Sequence, residues 1–200
     1  LFAQKSDPEA ILLIAPSDHV VPDRDAFHAA VQQGLSAVNT GQMVTFGIRP
    51  THAETAYGYL ETAARPDGSG AVIGLKRFVE KPDLDRATEM AASGDYLWNA
   101  GIFLVKATDV ITAFRTLAPD LVAPVQASVD EGQTDLGFFR LAPEPWKKVA
   151  DISIDYAIME KAPNLSVVPF DSGWSDLGGW DAVWREGDKN SDGVQTSGAA

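Results

Sequence analysis

Ile11-Leu-Leu-Ile-Ala-Pro-Ser-Asp-His19 runs from five apolar residues straight into a proline, a hydroxyl, a carboxylate and an imidazole. A short, unbroken, branched run of this kind predicts a parallel strand covered on both faces. Its abrupt polar ending places chemistry where the strand stops. The same pattern recurs along the chain. Met43 to Ile48 reads as a second buried strand, and Ala71 to Val79 as a strand that halts at Glu80-Lys-Pro82. Gly101 to Val105 and Leu165 to Phe170 read as further strands, with a short one near Tyr57 to Leu60 inside the loop Arg49 to Glu61.

Helical signals alternate with these runs. Asp23 to Asp25 supply capping groups for a helix through about Val38, with Phe27, Ala30, Val31, Leu35 and Val38 on one face. A helix over Leu84 to Ala92 is closed by Gly94. Thr108 to Leu117, Asp120 to Val129 and Gly179 to Glu186 read as helices, as does "SIDYAIMEK" behind an N-cap at Ser153. Alternating strands and helices argue for an α/β sandwich around a mainly parallel sheet. In such sheets ligands bind at the carboxyl ends of the strands. That rule selects three loops, Pro16 to His19, Glu80 to Pro82 and Ser172 to Gly179, as the edges of one crevice.

Composition narrows the chemistry. Two hundred residues, 45% of them hydrophobic and 22% charged, suffice for one domain with a substantial core. A net charge of -12 argues against nucleic acid or an anionic membrane as partner, since both need a basic face. Anionic substrates would then require a metal ion or a few placed lysines. There is no cysteine, and the three histidines lack paired ligand spacing, so thiolate and zinc sites are not expected. The longest apolar run is far too short to span a bilayer, and no secretory leader is evident, so the expected setting is cytoplasmic.

Each selected loop has a plain reading beside a functional one. Asp18 after a strand, and Asp176 before two glycines in "SGWSDLGGW", are ordinary turn formers taken singly. Two such aspartates on separate strand-end loops suit a hard cation, since Mg²⁺ takes one or two carboxylates plus phosphates and water. Trp174 and Trp180 are then expected to pack on either side of the turn and hold Asp176. Trp98, Trp146 and Trp184 are read as core or interface residues, which leaves room for a homo-oligomer. Glu80 and Lys81 are either a surface ion pair or a sugar-hydroxyl acceptor beside a phosphate-neutralising ammonium. Asn99, expected just ahead of a strand, is a turn residue or a hydroxyl-binding amide. Gly58 offers a backbone that a ligand can approach closely.

In order, "PSDH", "TAYGYL", "RFVEKP", "WNAGIF", "SIDYAIMEK" and "GWSDLGGW" resemble the mannose-1-phosphate guanylyltransferases. The likeness is strongest to the guanylyltransferase part of bacterial bifunctional mannose-6-phosphate isomerase/guanylyltransferases, and it runs from about Asp7 to Asp188. It implies a Rossmann-like α/β/α sandwich, the nucleotide-diphospho-sugar transferase fold, over residues 1–188, with 189–200 as a polar tail or linker. It also implies a reaction in which mannose 1-phosphate and GTP give GDP-mannose and pyrophosphate. Carried over by residue, the resemblance makes Asp18 and Asp176 the Mg²⁺ pair and Lys81 the sugar-phosphate ligand. Glu80, Asn99 and Gly58 become the groups that bind the hexose. The glycine-rich opening signature of these enzymes, GxGxRLxP followed by a lysine, is absent here, which implies a domain without its amino-terminal part. The alternatives are a relative handling another hexose 1-phosphate, or an inactive binding or regulatory subunit that kept the fold.

Overall fold

The computed structural model describes residues 1–170, 173–187 and 189–195. The chain opens with α1 (Phe2–Ser6), β1 (Ile11–Ile14), α2 (Arg24–Val38), β2 (Met43–Ile48), β3 (Tyr59–Thr62) and β4 (Ile73–Val79). Next come α3 (Leu84–Ser93), β5 (Tyr96–Lys106), α4 (Ala107–Leu117), α5 (Pro119–Asp130), β6 (Gln133–Asp135) and β7 (Phe138–Arg140). It closes with α6 (Pro143–Trp146), a π-helical turn (Asp155–Met159), β8 (Leu165–Pro169) and α7 (Trp180–Glu186). Among the described residues no helix is long and apolar enough to cross a membrane. The expected tail begins within the described residues, but 196–200 lie outside them, as does the boundary residue 188.

Three helix ends follow their local sequence signals. Asp23 caps α2 by accepting from the Ala26 amide at 2.9 Å, and Asp83 caps α3 in the same way. Gly94 ends α3 in the left-handed conformation, φ 77°, which a glycine adopts without a Cβ penalty.

The α/β class stands, with a mixed sheet between helices, but strand pairing departs from expectation. The large sheet has the order β1-β5-β2-β8-β4-β3, and an added β3–β5 pairing links five of its strands into a closed hydrogen-bonded circuit. Of its six ladders only β2–β8 is parallel, so "mainly parallel" is corrected to mainly antiparallel neighbours. β5 causes this. It is eleven residues long and pairs antiparallel with β1, β2 and β3. Its sequence reads as starting at Gly101, yet Gly101, φ 67°, is a kink within a longer strand. β1 is likewise not a parallel strand covered on both faces. It pairs with β5 alone, and Leu13 and Ile14 are 46% and 40% exposed. An apolar run records burial tendency but carries no information on which strand it will join.

Alternation along β5 separates two cores. Trp98, Ala100, Ile102 and Leu104 pack with β2 residues Val44 and Phe46 and with α2 and α3 residues Val38, Ala87 and Met90. Leu97, Phe103 and Val105 pack on the opposite side with Val110 of α4 and Ala157, Ile158 and Met159 of the π-helical turn. Asn99 and Gly101 share that second parity. So the polar groups of β5 sit between the sheet and the turn that carries Asp155.

Candidate active site

Three backbone segments lie side by side at the site. The Asn99 amide donates to the Gly58 carbonyl at 2.8 Å, and the Lys81 amide donates to the Tyr57 carbonyl at 3.2 Å. Gly58, just before β3, is thereby held between the end of β4 and the middle of β5. A Cβ on Gly58 would lie 2.6 Å from Glu80 Oε2 and 3.0 Å from Phe78 Cζ, so a side chain there would have to displace one of them. Asn99 is therefore inside a strand, a correction to its expected place ahead of one. These segments form one wall of a cleft of about 440 Å³, which Pro16, His19, Trp174, Asp155 and Asp176 also line.

Glu80 and Lys81 are more than a loose surface pair. The Glu80 side chain is only 8% exposed, and its Oε1 lies 3.1 Å from Lys81 Nζ, which is itself 56% exposed. The hydrogen bond and charge of Glu80 push the Lys81 pKa up and keep it an ammonium. Lys81 has φ 46°, a conformation that costs a residue with a side chain of order 1–3 kcal/mol and is kept only where its surroundings impose it.

The Asn99 amide has one orientation. Its Oδ1 accepts from the Gly101 amide at 3.2 Å and from Thr45 Oγ1 at 2.8 Å, while its Nδ2 donates to Asp155 Oδ1 at 3.2 Å. An N–H on one side and a carboxylate on the other leave no room for the flipped amide. Burial and the neighbouring charge of Glu80 push the Asp155 pKa up.

The second side of the cleft is built from loops. An isolated bridge, Val20 to Ser175, joins the segment after Asp18 to the segment before Asp176. Asp176 Oδ1 accepts from Tyr57 Oη at 2.8 Å and from the Gly178 amide at 3.0 Å. A Cβ on Gly178 would stand 2.6 Å from Asp176 Oδ2, which explains that glycine. Trp174 does brace the turn. Its ring meets Tyr57 and His19 edge-on, and its Nε1 donates to His19 Nδ1 at 3.2 Å. Trp180 does not, because it is 88% exposed on the first turn of α7. Trp98 is core, whereas Trp146 and Trp184 are about half exposed. The Tyr57 hydroxyl, partly buried and bonded to the Asp176 carboxylate, has its pKa pushed up and stays protonated.

Asp18 is exposed and makes no hydrogen bond or ion pair among the described residues. His19, not Asp18, lines the cleft. No group of three or more His, Asp or Glu gathers at one point among the described residues. Mg²⁺ does not need one. Asp176 suits a hard cation, since Oδ1 is fixed by two donors while Oδ2 has no hydrogen-bond partner among the described residues. Glu80, Asp155 and Asp176 outnumber Lys81 on the cleft wall, so a phosphate entering it needs a further positive charge.

Reading the sequence missed Tyr57, His19, Thr45 and Asp155. Tyr57 adjoins Gly58 within "TAYGYL", and Asp155 is the one acid inside the otherwise apolar start of "SIDYAIM". The sequence pattern there predicts an α-helix capped by Ser153. The segment instead forms a π-helical turn in which the Glu160 amide donates to the Asp155 carbonyl, and Ser153 Oγ receives only a long 3.4 Å bond from Tyr156.

The Nucleotidyl transferase family model matches residues 1–192. The chain belongs to the nucleotidyl transferase family. A relative from Sinorhizobium fredii named mannose-1-phosphate guanylyltransferase is 42% identical over 193 residues, covering 96% of this chain and 37% of its own length. The chain thus spans little more than a third of that relative's length. A Thermus thermophilus structure described as a mannose-1-phosphate geranyltransferase superposes with TM-score 0.77 at 32% identity, over 91% of this chain and 51% of that one. A Helicobacter pylori structure described as a mannose-6-phosphate isomerase gives TM-score 0.77 at 30% identity, over 88% and 67%.

Proposed function

We propose that the chain is the sugar-phosphate-binding and metal-binding part of a mannose-1-phosphate guanylyltransferase. In that reaction a phosphate oxygen of mannose 1-phosphate attacks the α-phosphorus of GTP. The bond from that phosphorus to the bridging oxygen of the β-phosphate breaks, giving GDP-mannose and pyrophosphate. One observation carries the reading: Gly58, Glu80-Lys81 and Asn99 are stitched together on one wall of a cleft whose far side is Asp176. The S. fredii relative's name supports mannose as the hexose.

Lys81 neutralises the sugar phosphate, Glu80 accepts hydroxyl protons, and Asn99 donates to a hydroxyl oxygen. The Gly58 position lets the sugar lie against backbone. Asp18 and Asp176 are the groups that would hold Mg²⁺, which when bound offsets charge on the phosphates. Because both reactants are anions, positioning and charge neutralisation are the main contributions, and no covalent nucleophile is required. The nucleotide substrate and the cysteine-free sequence support a cytoplasmic setting.

The test is turnover by the full-length protein with GTP, Mg²⁺ and either mannose 1-phosphate or glucose 1-phosphate. GDP-mannose formation with kcat/KM at least about tenfold above glucose 1-phosphate is expected. Equal rates would make the protein a broader hexose-phosphate nucleotidyltransferase. No product with either sugar would favour an inactive binding subunit.

A further inference from the structure

Asp155 is a half-buried acid on the cleft wall to which the proposed reaction assigns nothing. One of its oxygens, Oδ1, receives the Asn99 Nδ2 bond. Oδ2 has no hydrogen-bond partner among the described residues, and the residue lines the cleft. Asn99 is equally committed. Its oxygen is taken by the Gly101 amide and the Thr45 hydroxyl, so its remaining capacity is a single N–H. An amide donor and a carboxylate acceptor, bonded to each other at 3.2 Å, therefore present one free donor and one free acceptor to the same space. That is the complement of a single hydroxyl group, which accepts one hydrogen bond and donates another.

We infer that Asp155 and Asn99 together grip one hydroxyl of the sugar, Asn99 donating to its oxygen and Asp155 Oδ2 accepting its proton. This rests on the sugar-phosphate reading above. Glu80 is then free to accept a different hydroxyl while its other side faces Lys81. The grip selects on geometry, because an epimer moves the hydroxyl away from one of the two groups.

The carboxylate is kept at a cost to the fold, which separates a reading role from a structural one. The side chains acting on it are Glu80 and Lys81 at the end of β4 and Asn99 on β5. Burial, and then Glu80, make its ionisation harder in the folded chain than in the unfolded one. A raised folded pKa penalises the native state above that pKa, and the penalty disappears as pH falls below the unfolded value. Removing the charge should thus leave thermal stability at neutral pH equal or higher, with the difference vanishing in acid.

Asp155→Asn is the informative variant, since its amide oxygen still accepts from Asn99 while the second position becomes a donor. Calorimetric titration of the chain, unaltered and as D155N, uses mannose 1-phosphate, its monodeoxy analogues and inorganic phosphate. The expected result is mannose 1-phosphate weakened about tenfold, the difference between a charged and a neutral acceptor, with inorganic phosphate unchanged and melting temperature not lowered. One monodeoxy analogue should bind both proteins equally. Unchanged mannose 1-phosphate affinity in D155N, or weakening with every analogue and with phosphate alike, would overturn the inference. Failure of the unaltered chain to bind mannose 1-phosphate would instead overturn the reading of the site, and the inference with it.

Discussion

The two sides of the cleft are made differently. On the side proposed to hold the sugar, Gly58, Glu80, Lys81 and Asn99 sit on or beside strands that are bonded to each other, and Asn99 alone makes three side-chain hydrogen bonds. On the side proposed to hold the metal, Asp18 and Asp176 stand on loops joined by the Val20–Ser175 bridge and the Trp174–His19 hydrogen bond, and Asp18 is exposed. A sugar presents neutral hydroxyls whose positions must be matched, so its ligands gain from being fixed before it arrives. A metal and a phosphate supply strong charge and several ligands of their own, so the protein need only place one or two carboxylates within reach.

The sharpest way to break this contrast is Asp176→Asn. Its Oδ1 can still accept from Tyr57 and Gly178, so the turn survives while the charge is lost. Turnover of the full-length protein should fall by about two orders of magnitude or more, comparable to loss of a group that stabilises transition-state charge. Thermal melting should shift by less than about 2 °C, because no buried contact is removed. Near-normal turnover would reduce Asp176 to a turn former.

Gly58→Ala tests the fixed side. Its new methyl must displace Glu80 Oε2 or Phe78, at 2.6 and 3.0 Å, from a wall that has little room. A stability loss of about 1–3 kcal/mol, read by denaturant melting, should accompany roughly tenfold weaker mannose 1-phosphate binding. Unchanged sugar-phosphate affinity would show that Glu80 tolerates displacement. Smaller again is the contrast between the two tryptophans. Trp174→Ala removes ring contacts to Tyr57 and His19 and should cost about 2 kcal/mol, whereas Trp180→Ala should stay within about 0.5 kcal/mol. Equal losses would mean that Trp180 braces the turn after all.

What can be read in the sequence tracks how local the cause is. The Asp23 cap and the Gly94 stop each depend on a few neighbouring residues, and both are legible. So is the placing of Glu80 and Lys81 at a strand end. The partner of β1 is not, because four apolar residues fit an antiparallel edge as well as a covered parallel position. Gly101 looks like a strand start because glycine usually punctuates, but here it bends β5 beside Asn99. Tyr57 and Asp176 are 119 residues apart, and nothing in either segment announces their hydrogen bond. Asp155 is hidden by a helical pattern that the chain winds one residue wider, as a π-helical turn.

The most direct test of the central claim is the pair of dissociation constants for mannose 1-phosphate and GTP in the full-length protein, measured for the unaltered enzyme and for Lys81→Met. Lys81 Nζ is the only ammonium on the cleft wall among the described residues, and Glu80 keeps it charged. Loss of a charge-assisted bond of roughly 1.5–3 kcal/mol should weaken mannose 1-phosphate by about 10- to 150-fold. GTP affinity should change by less than about twofold, and free mannose, which has no phosphate, should be indifferent to the substitution. Equal weakening of GTP and mannose 1-phosphate, or no effect on either, would contradict the assignment of this cleft wall to the sugar phosphate.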